Sequence, residues 1–331
     1  MVALWVHASA IMTDPDANPA PLPFAGYPLD RASVKRRDPD AIAQLLNHRT
    51  TSLLLLHQGN PLLFLDRFAS GPRRALSLAI GARSAYLGEK APEPIFLGCD
   101  THGQATFAAA LPKDFDPEDS PLTGLFEIVE MREAASMLDG GDLALLSTAK
   151  ALLDWHARHS FCGNCGGRTL SQEGGWKRIC PTCNSEHFPR TDPVAIMLAV
   201  KDDKCLLGRG AGFRAGYISA LAGFIEPGET IEEGCARELL EEAGVVMTKA
   251  RIIANQPWPF PSQLMIGLIA EVADFTLTLD ENELTDAIWF TKAQARELLS
   301  EGGCTLHNQT LRAPPPLAIA HHLIKAWVEE G

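Results

Sequence analysis

Residues 223–245 run Gly223-Phe224-Ile225-Glu226-Pro227-Gly228-Glu229-Thr230-Ile231-Glu232-Glu233-Gly234-Cys235-Ala236-Arg237-Glu238-Leu239-Leu240-Glu241-Glu242-Ala243-Gly244-Val245. Thr230 with Glu233 three residues on is a capping box, and Gly244 stands where a left-handed C-cap belongs, so a helix over 231–243 has both ends specified. At about 100° per residue, Glu238, Glu241 and Glu242 fall within an arc of roughly 100°, while Ile231, Cys235, Leu239 and Ala243 form an adjoining apolar stripe. One face packs and the next presents carboxylates. Like charges held this close repel unless the face is well solvated or a cation neutralises them. Hard divalent ions such as Mg²⁺ or Mn²⁺ suit an oxygen-rich surrounding and bind jointly with substrate phosphates.

Around this helix the apolar pattern alternates between short strands and a few helices. Residues 194–200 predict a buried strand, 201–204 a turn and 205–209 the returning strand. Further strands are expected at 217–222, 251–256, 264–271 and 287–290, with helices at 292–299 and 318–329. Upstream, 52–56, 61–65 and 94–98 predict short buried strands, and 143–158 a helix. That alternation implies an α/β layer fold. No acidic cluster, Gly-rich phosphate loop or nucleophile elbow precedes residue 158, so the N-terminal region is expected to serve packing, dimerisation or pocket shape.

The chain has 331 residues and a formal net charge of −12, which argues against a dedicated duplex-DNA or membrane-surface binder. Between residues 158 and 220 the balance reverses: nine Lys/Arg stand against five acids, a net of +4 that would draw an anionic ligand. No apolar run approaches the roughly 20 residues that span a bilayer. The first dozen residues lack the basic start of a secretory signal, which predicts a cytoplasmic protein. Met12 competes with Met1 as the start, because residues 13–23 read as a mobile lead-in.

Four of the eight cysteines form Cys162-Gly163-Asn164-Cys165 and, fourteen residues later, Cys180-Pro181-Thr182-Cys183. Two such hooks suit one tetrahedral zinc ion, and four thiolates leave no open position, so the metal is structural. Cys99, Cys205, Cys235 and Cys304 sit in apolar surroundings as core residues.

Gly223 through Val245 fill every specified place of the Nudix box, and the stretch resembles that signature of hydrolases acting on a nucleoside diphosphate linked to another moiety. The resemblance implies an α/β/α sandwich with a mixed sheet and metal-assisted attack of water on phosphorus. It further implies Glu238 and Glu242 as principal metal ligands, Glu241 beside them, the Ala222 carbonyl completing a site, and Glu242 as the base. Arg237 is expected to pair with a box carboxylate such as Glu229.

Downstream, Asn255-Gln256-Pro257-Trp258-Pro259-Phe260-Pro261-Ser262-Gln263 resembles the Ser-Gln-Pro-Trp-Pro-Phe-Pro-x-Ser signature of the NADH pyrophosphatase family, departing at Asn255 and Gln263. The four-Cys ribbon and the linking His187-Phe188-Pro189-Arg190 agree with it. The implied layout is a lead over 1–23, a divergent α/β N-terminal domain over 24–157, a zinc ribbon over 158–190 and a Nudix domain over 191–331. The implied reaction takes NAD(H) and water to nicotinamide mononucleotide and AMP, with NAD-capped RNA as a second substrate. Phe188 and Phe224 would sandwich an aromatic ring. Gln256, Trp258, Gln263 and Met265 would meet the ligand from a partner subunit of a homodimer. Glu283 matches a late metal-binding Glu, and Ala320 a substrate-contacting backbone position. Competing readings are ADP-ribose or dinucleoside polyphosphates as substrate, or a non-catalytic RNA- or nucleotide-binding ribbon module. His321, His322 and Arg132 read as packing or surface residues.

Overall fold

A computed structural model describes residues 21–65, 72–79, 93–120, 122–210, 212, 216–306 and 308–330. The start-site question and residues 1–20 of the lead lie outside them.

The first sheet contains β1 (Ser52–His57), β2 (Asn60–Phe64), β3 (Ser77–Ala79), β4 (Ile95–Cys99), β5 (Ala105–Ala110) and β6 (Phe126–Ile128), in the order β4-β5-β1-β2-β6 with β3 also paired to β1. Helix α1 (Pro39–Asn47) precedes it; α2 (Met131–Ala134) and α3 (Gly140–Arg158) follow. The four consecutive leucines of β1 are all buried because both faces of the sheet are covered. Leu53 and Leu55 share a core with Phe96, Phe107 and the apolar side of α1, whereas Leu54 and Leu56 meet Leu143, Leu146 and Leu152 of α3.

The ribbon is a three-stranded sheet of β7 (Leu170–Gln172), β8 (Lys177–Ile179) and β9 (Glu186–His187). It docks on the first domain: the Trp176 indole N–H donates to the Phe96 carbonyl at 2.7 Å.

The C-terminal sheet comprises β10 (Asp192–Lys201), β11 (Lys204–Gly210), β12 (Leu221–Phe224), β13 (Met247–Trp258), β14 (Gln263–Val272) and β15 (Leu284–Thr291). Its order is β13-β14-β10-β11-β15, with β12 paired to β10. β10 and β14 run parallel and the remaining pairs antiparallel, giving a mixed sheet. Ala195, Met197 and Ala199 pack against Cys235, Leu239 and Ala243 of α4 (Ile231–Ala243). Ile196, Leu198 and Val200 face the other way, onto α5 (Lys292–Leu298) and Ile319, Leu323 and Trp327 of α6 (Ile319–Glu329). Alternation along a single strand therefore builds both layers of an α/β/α sandwich. A short hairpin of β16 (Cys304–Leu306) and β17 (Gln309–Leu311) completes the described elements.

The two sheets have the same topology strand for strand. β1 to β6 pair as β10 to β15 do, including the single parallel pair and the extra strand on the central one. The N-terminal domain is a second copy of the sandwich sheet. Between β3 and β4 its sequence has no Arg-Glu-x-x-Glu-Glu run, which distinguishes it from the C-terminal copy.

Part of the expected lead is ordered by packing. Leu22 packs on the C-terminal core, and Phe24 is buried with its ring edge-on to Trp258 at 5.6 Å and Phe260 at 5.9 Å.

Candidate active site

Helix α4 has the ends its sequence specifies. Thr230 and Glu233 form the capping box, and Gly244 closes the helix at φ +69°. Two glycines then place the carboxylates. A Cβ on Gly223 would overlap the Glu238 carboxyl group, so the bare backbone of β12 is the seat into which that side chain fits. A Cβ on Gly244 would come within 2.8 Å of Thr278, so its absence lets the 278–283 loop lie against the helix end. The Thr278 N–H donates to Ala243 O (2.8 Å) and the Asp280 N–H to Glu242 O (3.0 Å), while the Glu283 N–H donates back to Asp280 O (3.0 Å). The helix terminus thereby captures the loop that carries Glu283.

Carboxylate oxygens of Glu238, Glu242 and Glu283 all lie within 4.8 Å of one another. Glu238 and Glu242 are buried, at 9% and 5% exposure, and Glu283 is exposed. Burial, then the charges of Glu238 and Glu283, push the Glu242 carboxyl up to about 8. Glu238 is raised as well, mainly by burial. Carboxylates crowded in this way offer the oxygen donors that a hard divalent cation takes. Ala222 adjoins them, next to the Gly223 on which Glu238 is seated.

Arg237 ties the rest of the loop down. Its Nε donates to Glu229 at 2.6 Å, one terminal nitrogen reaches Glu229 (2.9 Å) and the Phe224 carbonyl (2.7 Å), and the other reaches Glu238 (2.8 Å) and Glu241 (2.9 Å). These hydrogen bonds hold the Glu229 carboxyl down at about 2. The expected Arg237–Glu229 pair is present, and its reach to Phe224 and Glu238 is greater than the sequence pattern conveys. Glu241, expected beside the metal ligands, is on Arg237 and outside the three-carboxylate cluster.

The zinc hooks are two knuckles of one design. Cys162 N–H donates to Gly167 O and Gly166 N–H to Cys162 O; Cys180 N–H donates to Ser185 O and Asn184 N–H to Cys180 O. Each knuckle closes with a left-handed residue, Gly166 and Asn184. The sulfurs of Cys162, Cys165, Cys180 and Cys183 lie within 4.8 Å of one another, the geometry of one tetrahedral ion. The Ser185 hydroxyl, 3.2 Å from Cys183 Sγ, holds that thiol down at about 5, and His187 Nε2 lies 3.3 Å from Cys162 Sγ.

The strip after the box departs from expectation in part. Gln256 is completely buried: its amide donates to Pro23 O (3.1 Å) and Leu317 O (2.8 Å) and accepts from Ile319 N–H (2.8 Å). Its amide is hydrogen-bonded within the chain, clamping the strip to the lead and to the start of α6. Ala320 is likewise buried in the core beside it. Met265, opposite Gln256 on β14, is half-buried against that core. Trp258 and Phe260 pack on the N-terminal domain of the same chain. Trp258 and Gln263 line a cavity of about 230 Å³ shared with Arg31, Leu152 and Trp176. Phe224 and Phe188 are exposed, at 54% and 60%. His321 and His322 bond the Pro314 and Pro316 carbonyls, and Arg132 lies over the Phe260 ring at 3.8 Å and 3.6 Å from Glu130.

A mixed-sheet sandwich whose acidic helix is seated on Gly223 defines a Nudix hydrolase. Three family models match the chain in succession: an NADH pyrophosphatase-like rudimentary NUDIX domain over 49–155, an NADH pyrophosphatase zinc ribbon domain over 157–188 and a NUDIX domain over 189–307. The human "NAD-capped RNA hydrolase NUDT12" is 36% identical over 345 residues, covering 92% of this chain and 73% of that protein. The human mitochondrial "NAD(P)H pyrophosphatase NUDT13" is 36% identical over 316 residues, covering 89% and 88%. "NAD-capped RNA hydrolase NudC" of Mycobacterium bovis is 35% identical over 254 residues, covering 75% and 79%. The chain belongs to the NADH pyrophosphatase family of Nudix enzymes, and the rudimentary copy is the N-terminal sheet seen in the topology.

Proposed function

We propose that this enzyme hydrolyses the pyrophosphate bond of NAD(H), giving nicotinamide mononucleotide and AMP, and acts on the same bond in NAD-capped RNA. The observation that carries this reading is the Glu238–Glu242–Glu283 cluster at the end of a box helix, in a chain whose relatives are named for those two substrates. Glu238, Glu242 and Glu283 would hold Mg²⁺ or Mn²⁺, with Ala222 beside them. Such cations would neutralise charge on the pyrophosphate and acidify a water. Glu242 takes the proton as the water oxygen bonds to phosphorus and the bridging P–O bond breaks. Arg237 acts on position alone, fixing the loop from Phe224 to Glu229. Exposed Phe224 and Phe188 are available to stack on a flat ring. Zinc on the four cysteines has a structural role. Exposed apolar side chains of the ribbon, Phe161, Leu170 and Phe188, suit a homodimer interface, and a cytoplasmic setting completes the reading.

Product analysis tests the reading. Wild type with Mg²⁺ or Mn²⁺ should release AMP from NADH and a nicotinamide mononucleotide from NAD-capped RNA, and Glu242→Gln should not. Preference for ADP-ribose over NADH would contradict it.

A further inference from the structure

We infer that the face built by Arg31, Arg36 and Trp176 binds the phosphodiester backbone of the RNA that follows an NAD cap. The inference rests on capped RNA being a substrate, as proposed above. Residues 31–37, Arg31-Ala32-Ser33-Val34-Lys35-Arg36-Arg37, put four cations into seven positions of a chain whose net charge is −12. Two neighbouring acids accept backbone N–H groups and a third pairs with other cations of the face. Asp30 accepts from the Ala32 N–H at 2.8 Å, and Asp38 caps α1 through the Asp40 N–H at 2.9 Å. Glu173 is shared between Arg37 (3.8 Å) and Lys177 (3.1 Å). Among the described residues no carboxylate oxygen lies within 4.0 Å of the Arg31 or Arg36 guanidinium, and Arg36 Nε is buried without a hydrogen-bond partner.

Aromatic rings hold both guanidiniums by their faces. Arg36 lies 4.6 Å and Arg31 5.6 Å from the Trp176 ring, and Arg31 is 4.2 Å from the Tyr27 ring. A guanidinium held this way keeps its planar N–H edges for an oxyanion, and its geometry matches phosphate. The surface also leads away from the reaction site. Phe224 pairs with Val194 on β10, and two residues along that strand Asp192 pairs with Gln263, which lines the cavity containing Arg31 and Trp176. Beyond Trp176, a second cavity of about 400 Å³ is lined by Arg36 and Arg37, with Glu93 also on its wall and Lys177 paired to Glu173 and Glu186. Arg31 on the first cavity and Arg36 on the second suit successive phosphates of a strand, since the two phosphates of NADH would belong at the carboxylate cluster.

The test uses the full-length double variant Arg31→Gln/Arg36→Gln and fluorescence anisotropy with uncapped single-stranded RNA. Each phosphate contact contributes about 0.7 to the slope of log affinity against log salt for a single strand. Removing two should lower the slope by about 1.4 and weaken binding about 25-fold at 0.1 M salt. NADH hydrolysis by the double variant should match wild type, which also shows that it folds, while KM for NAD-capped RNA rises. Unchanged RNA affinity and salt slope would overturn the inference, as would NADH and capped-RNA hydrolysis falling together. Inactivity of the wild type on NADH would contradict the proposed reaction instead, and the anisotropy result would stand separately.

Discussion

Glu238 occupies the space a side chain on Gly223 would need: a β-carbon there would lie inside the carboxyl group. The glycine that opens the box is a seat for one of its acids. Gly223→Ala should leave the sheet intact, since β12 has ordinary neighbours on β10, and displace Glu238 from the cluster. The predicted outcome is an NADH hydrolysis rate reduced by at least about 100-fold, on the scale of losing a metal-organising group, with circular dichroism unchanged. Wild-type activity in this variant would refute the seat.

The adjacent acids Glu241 and Glu242 should respond differently. Glu242 is buried in the cluster and Glu241 is held by Arg237 at the surface. Glu242→Gln should lower kcat by about 10²- to 10⁴-fold, the range of a lost general base, and Glu241→Gln by less than about tenfold. Steady-state rates with NADH decide. Equal losses would place Glu241 among the ligands.

Metal uptake should depend on pH. Glu242 titrates near 8 in the metal-free protein, and a cation binds its ionised form. Below that value binding must expel a proton, so apparent affinity should rise with pH up to about 8 and level off above it. The stability sign is the reverse for the metal-free protein. A carboxyl raised above its ordinary value disfavours the folded state increasingly as pH climbs from its unfolded value toward 8. Added Mg²⁺ or Mn²⁺ should therefore raise Tm more at pH 8 than at pH 6. A pH-independent increment would contradict the shift.

The ribbon should carry one zinc ion per chain and depend on it. Four thiolates close the site, and such domains draw their folding energy from the metal. Native mass spectrometry should show a single zinc, lost in Cys180→Ser. Chelation should lower Tm without removing the carboxylate cluster's affinity for Mg²⁺ or Mn²⁺.

Much of this was legible in the sequence for physical reasons. The capping box, the Gly244 terminus and the 3.6-residue spacing of apolar side chains are local, and the helix forms over residues 231–243 as they predict. The cysteine spacing likewise encodes its own knuckles. What the sequence does not show is long-range. Gln256 sits in a motif that implies ligand contact, yet its amide is consumed by Pro23, Leu317 and Ile319, partners up to 233 residues away. Nothing local signals that Thr278 and Asp280 hook onto the helix end and deliver Glu283. The duplicated sheet is hidden because topology is kept by strand pairing while the box that would advertise it is missing from the first copy. The Arg31 to Arg37 cations lie outside the basic segment over residues 158–220.

The central claim is that Glu238, Glu242 and Glu283 form a divalent-cation site. Isothermal titration of the zinc-loaded protein with Mn²⁺ at pH 8 tests it most directly. Wild type should bind, with uptake strengthened by a non-hydrolysable dinucleotide, and Glu238→Gln/Glu242→Gln should show no binding while keeping its zinc and its fold. Equal Mn²⁺ uptake by the double variant would contradict the account.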